Sequence, residues 1–174
     1  MGVQAMGFYA IISWLPAIMQ GQGYSQTYSG WLVAAYQLIA LVPGLILPAI
    51  IARSRDQSLI TSLFAAMCPI GALGLLVYPP WALLWVCVAG FGGGISFILA
   101  ISFISLRSKD HHQAASLSGM VQSVGYLIAA MGPLLFGIIH DFSHNWNIVL
   151  IGLVLTGSAQ VVLGWKAGKN KTVS

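Results

Sequence analysis

Long apolar runs separated by short clusters of polar and turn residues set the pattern of this chain. Reading it with a window of transmembrane length predicts helices at about 2–20, 30–51, 58–78, 82–106, 113–139 and 147–166. Crossing a hydrocarbon core takes roughly 20 apolar residues. Dividing 174 residues among six crossings leaves about 29 each, enough for six helices and short loops. The chain therefore reads as one all-α membrane domain over 1–174, with no room for a separate soluble unit. The first span has no basic segment ahead of it and no small-residue cleavage site after it, so it reads as a retained helix rather than a signal.

Composition agrees with that pattern. Hydrophobic residues make up 58% of the chain and charged residues only 6%, and the mean hydropathy is +0.88. A soluble domain carries about a quarter charged residues. The net charge of +4 comes from loop clusters rather than a basic face, which excludes nucleic-acid binding as a primary role. Cys68 and Cys87 both lie in apolar runs and form neither a disulfide framework nor a metal pair. They read as small core residues.

The basic residues give an orientation. Arg53 and Arg55 follow the second span, Arg107 and Lys109 the fourth, and Lys166, Lys169 and Lys171 the sixth. The loops at 21–29, 79–81 and 140–146 hold no lysine or arginine. All the basic residues thus fall on one side of an alternating topology, and the positive-inside rule assigns that side and both termini to the cytoplasm. Trp14, Trp31, Trp81, Trp85, Trp146 and Trp165 lie near predicted span ends, as headgroup-level anchors or as ordinary packing aromatics.

No acidic, basic or histidine side chain lies in the middle of a span. Such residues are expensive there and mark ion or proton pathways when present. This chain alone should carry no proton relay. It also has no arrangement of nucleophile, base or paired carboxylates that would make it an enzyme, and it calls for no cofactor. The polar groups that do enter the spans are neutral. Gln4, Tyr9, Tyr36, Gln37, Gln122 and Tyr126 are the candidate substrate contacts, as neutral hydrogen-bond partners for a small ligand. Gln122 and Tyr126 are four apart and share a helix face. The alternative for each is a hydrogen bond to a neighbouring helix.

Gly90 and Gly94 form a small-xxx-small pair that lets two helix backbones approach closely. Pro43, Pro48, Pro69 and Pro133 fall inside spans and each frees a backbone carbonyl about one turn earlier, giving kinks or flexible points. Gly132 and Pro133 together form a candidate hinge or packing point. His140 and His144 are four apart, in an expected outer loop without a third ligand, so no metal site is expected. Asp141 is expected to tie that loop to a neighbouring helix end, and His111 and His112 to lie in a cytoplasmic loop.

The stretch from Gly125 through Gly132-Pro133 to His140-Asp141, followed by Trp146, resembles the eleventh helix of a major facilitator superfamily transporter. More narrowly, it is similar to the cyanate-permease-like and nitroimidazole-transporter-like branch. Gly2 to Pro16 with Trp14, Gly30-Trp31 through Tyr36-Gln37, and Pro48 to Asp56 carry the same resemblance. It implies a six-helix half, helices seven to twelve, of a twelve-helix fold, with Met1 inside helix seven. It also implies that helices seven, eight, ten and eleven face a central cavity while nine and twelve lie further out. The implied function is alternating-access transport of a small solute such as cyanate or a nitro-heterocycle, in the bilayer of a bacterial inner membrane. The implied partner is an N-terminal six-helix half or a second copy. The alternative is a membrane structural or assembly protein, or an inactive fragment.

Overall fold

A computed structural model describes residues 1–45, 58–106 and 108–168. Pro48, Arg53, Arg55, Asp56, Arg107, Lys169 and Lys171 lie outside the described residues. Seven α-helices are described: α1 (Gly2–Gly21), α2 (Gln26–Leu41), α3 (Ser58–Ala65), α4 (Met67–Val77), α5 (Ala82–Leu106), α6 (His111–Ser143) and α7 (Trp146–Gly168). A 3-10 turn, Pro79–Trp81, leads into α5. By length and composition these make six spans able to cross a membrane. Helices suit that setting because their backbone hydrogen bonds close within the segment.

Among the described residues the six apolar helices overlap the predicted spans, residues 46–51 of the second lying outside the described residues, and several ends differ for local reasons. The second span begins at Gln26 rather than near 30, because the Ser25 hydroxyl accepts a hydrogen bond from the Tyr28 amide at 3.2 Å and caps a polar first turn. The fifth span begins at His111, capped by Asp110, whose carboxylate accepts from the Gln113 amide at 2.7 Å. It continues to Ser143 and closes on His144 in the left-handed conformation at φ 49°. His111, His112, His140 and Asp141 are therefore helical, not loop residues as polarity suggested. Asp141 is exposed and lies 3.7 Å from its own neighbour His140, instead of tying a loop to another helix.

The prolines act unequally. The third span breaks between Ala65 and Met67, where Pro69 has no N–H to donate to the Ala65 carbonyl one turn back. The α2 helix ends at Leu41, ahead of Pro43, and the Val42 amide turns to the Ile39 carbonyl at 3.2 Å. Pro133 sits within an uninterrupted α6.

Small residues decide which helices pair, as expected where lipid supplies no hydrophobic drive between helices. The α1 helix packs most extensively on α6, α2 on α5, and the broken third span on both α5 and α7. Gly90 and Gly94 seat α5 against α2: a methyl group at Gly90 would lie 2.6 Å from the Tyr36 carbonyl oxygen, and one at Gly94 would overlap the Ala40 carbonyl. Gly132 does the same for α6, where a methyl group would meet the Met6 carbonyl at 2.5 Å. The main core gathers Ala10, Leu15, Ile18, Leu32, Tyr36 and Leu150, among others, from α1, α2 and α7. The six tryptophans divide evenly. Trp31, Trp81 and Trp165 are exposed. Trp14, Trp85 and Trp146 are packed, with Trp14 and Trp146 rings 5.6 Å apart and Trp146 stacked on His140 at 3.7 Å.

Candidate functional site

Two large cavities open among the helices. One of about 530 Å³ lies between the first residues of α1 and parts of α3, α5, α6 and α7, and among the six candidate residues only Gln4 lines it. The other, of about 480 Å³, is lined by Gln4, Tyr9, Gln37 and Tyr126 together with Phe8 and Phe97. This second cavity collects four of the six candidates and is the candidate site. Its described lining comes from α1, α2, Gly44 just beyond α2, α5 and α6, with no described residue of α3, α4 or α7. A shallower space of about 330 Å³ continues from Tyr9 and Tyr126 along α6 to Pro133.

Helical register explains who reaches the cavity. Tyr9 and Gln37 are exposed on its sides. Tyr36, one residue before Gln37, points about 100° away around α2 and is buried at 2% exposure in the core. It supports the site from behind, with its ring 5.4 Å from that of Phe8, and Phe8 meets Tyr9 edge-on at 5.9 Å. Gln122 is not among the lining residues of this cavity. It lies one turn before Tyr126 on α6 and donates its amide to the Ser118 hydroxyl at 2.7 Å.

Gln4 is the most enclosed polar group of the site, 7% exposed. Its amide nitrogen donates to the Gly93 carbonyl at 3.3 Å, bridging α1 and α5. Its oxygen is buried without a hydrogen-bond partner among the described residues. No charged residue is among those lining the cavity. Among the described residues the lining therefore offers amide and phenol hydrogen-bonding groups between aromatic faces, without a charged side chain. Among the described residues, no three histidine, cysteine or acidic side chains come together to hold a metal.

Polarity within apolar spans pointed to Gln4, Tyr9, Gln37 and Tyr126, which line this space. It missed Phe8, Phe97 and the glycine edge at Gly93 and Gly94, all of which line the same space. Apolar aromatics and glycines give no sequence signal that separates a ligand wall from ordinary packing.

Residues 1–133 match the Major Facilitator Superfamily. The chain is 43% identical over 173 residues to the 2-nitroimidazole transporter of Escherichia coli (strain K12), covering 99% of this chain and 44% of that protein. It is 35% identical to an uncharacterized transporter of Bacillus subtilis (strain 168), again over 99% of this chain and 44% of the relative. It is 30% identical to a cyanate transport protein of Escherichia coli (strain K12), over 80% of this chain and 36% of the relative. The chain thus spans less than half the length of these relatives. All three are named as transport proteins, which places the chain among transporters rather than enzymes. With six apolar spans packed as half of such a fold, this integral membrane chain belongs to the Major Facilitator Superfamily.

Proposed function

We propose that the chain is the C-terminal six-helix half of a secondary transporter, carrying a small uncharged planar solute of the nitro-heterocycle kind by alternating access. The single observation that carries this reading is the 480 Å³ cavity, where amides and phenols stand between aromatic faces with no charge among the lining residues. Its four walls are the helices that would correspond to seven, eight, ten and eleven. The similarity to a 2-nitroimidazole transporter supplies the substrate class. Cyanate, the substrate named for another relative, is an anion, and this half offers it no cation.

We assign the face of the cavity that these four helices do not cover to an N-terminal six-helix half. Rocking of the two halves would expose the site to each side in turn. The clustering of lysine and arginine on one side of the predicted topology supports cytoplasmic termini in a bacterial inner membrane.

Uptake of labelled 2-nitroimidazole tests the reading, in cells making this chain alone and in cells that also make an N-terminal half of a relative. Uptake that requires the added half is the expected result. Uptake by the chain alone would replace the partner half with a second copy. Absence of uptake in both, with membrane insertion confirmed, would overturn the reading in favour of a structural role.

A further inference from the structure

Building on the reading of the chain as half of a transporter, we infer that the 530 Å³ cavity is the seat of a short apolar helical segment, stacked end to end on α1 and carried at the C-terminal end of the partner half.

Helix stripes wall this cavity. On α5 it is bordered by Ser96, Leu99, Ala100 and Phe103, and on α7 by Gln160, Leu163, Gly164 and Ala167. Both sets follow the i, i+3, i+4, i+7 spacing that puts side chains on one face of a helix. Leu117 and Val121, one turn apart, do the same from α6. Each of the two longer stripes extends about 10 Å, or roughly two turns. One turn of helix, 5.4 Å of a cylinder about 10 Å across, fills about 420 Å³, so a space of 530 Å³ holds more than one turn between the walls.

The first turn of α1 sets the axis. Met1, Gly2, Val3 and Gln4 border the cavity, and no side chain among the described residues caps that turn. The first backbone N–H groups of a helix have no partner within it. Gly2 stands beside Ile128 of α6, whereas α6 begins at His111, so α6 runs about 25 Å past the first turn of α1. Leu117 and Val121 lie on that overhang. The extensive seam between α1 and α6 thus continues along α6 into the cavity.

The end of a helix supplies what this space lacks. The last carbonyls of a helix are unpaired in the same way as the first amides. A segment whose C-terminal end abuts α1 would accept hydrogen bonds from those amides, and the two helix dipoles would meet through opposite ends. Leu99, Phe103, Val121 and Leu163 offer it apolar contacts, and Ala100, Gly164 and Ala167 are small enough for a backbone to come close. No charged side chain is among the lining residues, so the segment is apolar. A lipid tail suits the same walls but brings no acceptor for the amides of α1. The chain spans less than half the length of its relatives, which leaves ample chain for a partner half that ends in such a segment.

The test pairs this chain with two versions of the N-terminal half of a relative, one ending where this chain's match begins and one ending about seven residues, or two turns, earlier. The longer half should copurify with this chain in detergent at least about tenfold better than the shorter one. With Cys68 and Cys87 replaced by alanine, a cysteine in the added segment should be joined by a short bifunctional thiol reagent to Leu163→Cys and to Val121→Cys. It should not be joined to Val162→Cys, exposed one residue away around α7 and outside the lining. Equal copurification of the two halves, or no crosslink at either position, overturns the inference and leaves the proposed function standing. Crosslinks between two copies of this chain at Val121→Cys would give the cavity to a second copy. Attachment of a photoactivatable phospholipid to its lining, undiminished by the longer half, would give it to a lipid tail. Either result also overturns the inference. Crosslinks at Leu163→Cys and Val121→Cys without uptake of 2-nitroimidazole would sustain the seat and overturn the transport reading. Copurification needs no substitution in this chain, so a variant that fails to fold cannot shield the inference.

Discussion

Trp14 donates its indole N–H to the carbonyl oxygen of Pro133 at 2.8 Å, joining α1 to α6 beyond the candidate site. The two helices run parallel at this seam, since Gly2 lies beside Ile128, Met6 beside Gly132 and Trp14 beside Gly137. Tyr9 and Tyr126 project from the same pair of helices into the cavity. The bond therefore holds in register the two elements that carry both phenols.

Removing it should loosen that register. Trp14→Phe keeps a ring against Trp146 but loses the donor, and should lower stability by about 0.5–1.5 kcal/mol. Thermal unfolding of the purified chain in detergent reads the loss. An unchanged midpoint would show that the bond contributes nothing to the pairing of α1 with α6.

Close approach of α2 and α5 makes a sharper prediction. At Gly94 even a methyl group overlaps the Ala40 carbonyl, whereas no described residue lies within 4 Å of the position it would take at Gly30 or Gly119. Gly94→Ala should cost about 1–3 kcal/mol, the range for overpacking. The same change at Gly30 or Gly119 should be tolerated. Because Gly94 and Ala40 both line the cavity, separating the helices should also reduce uptake. Equal stability of all three variants would refute the tight α2–α5 contact.

How far the sequence reached can be judged from single residues. The spans were legible because twenty or so apolar residues in a row have few other uses. The start of α2 was not, since Gln26, Thr27, Tyr28 and Ser29 look like loop until Ser25 is seen to cap them. His140 and Asp141 looked like loop for the same reason, although the helix runs through them. In the site, Gln37 and Tyr36 were equally polar on paper, and only the packing of α2 against α1 and α5 decides which is buried. Gln122 and Tyr126 share a face by spacing, but the lining of the cavity includes Tyr126 and stops short of Gln122.

That difference along α2 can be measured by cysteine labelling. With Cys68 and Cys87 replaced by alanine, Gln37→Cys and Tyr126→Cys should react with a water-soluble thiol reagent, and added 2-nitroimidazole should slow both. Tyr36→Cys, in the core behind the cavity, should remain unlabelled. Labelling at Tyr36 with protection at neither of the others would move the solute path away from this cavity.

Charge selectivity offers the remaining test, because the lining residues of this half are all neutral. A large excess of cyanate should leave 2-nitroimidazole uptake by the assembled transporter unchanged, since an anion has no cation here to replace its lost water. Gln37 is the position where a cation could be introduced at least cost, because it is exposed at the cavity side, and a lysine there could keep its ammonium in water. Gln37→Lys should therefore make uptake sensitive to cyanate, while Gln37→Met should not. Cyanate competition against the wild type would mean that the neutral lining of this half does not set the charge of the solute. The determinant would then have to lie in residues contributed by the partner half.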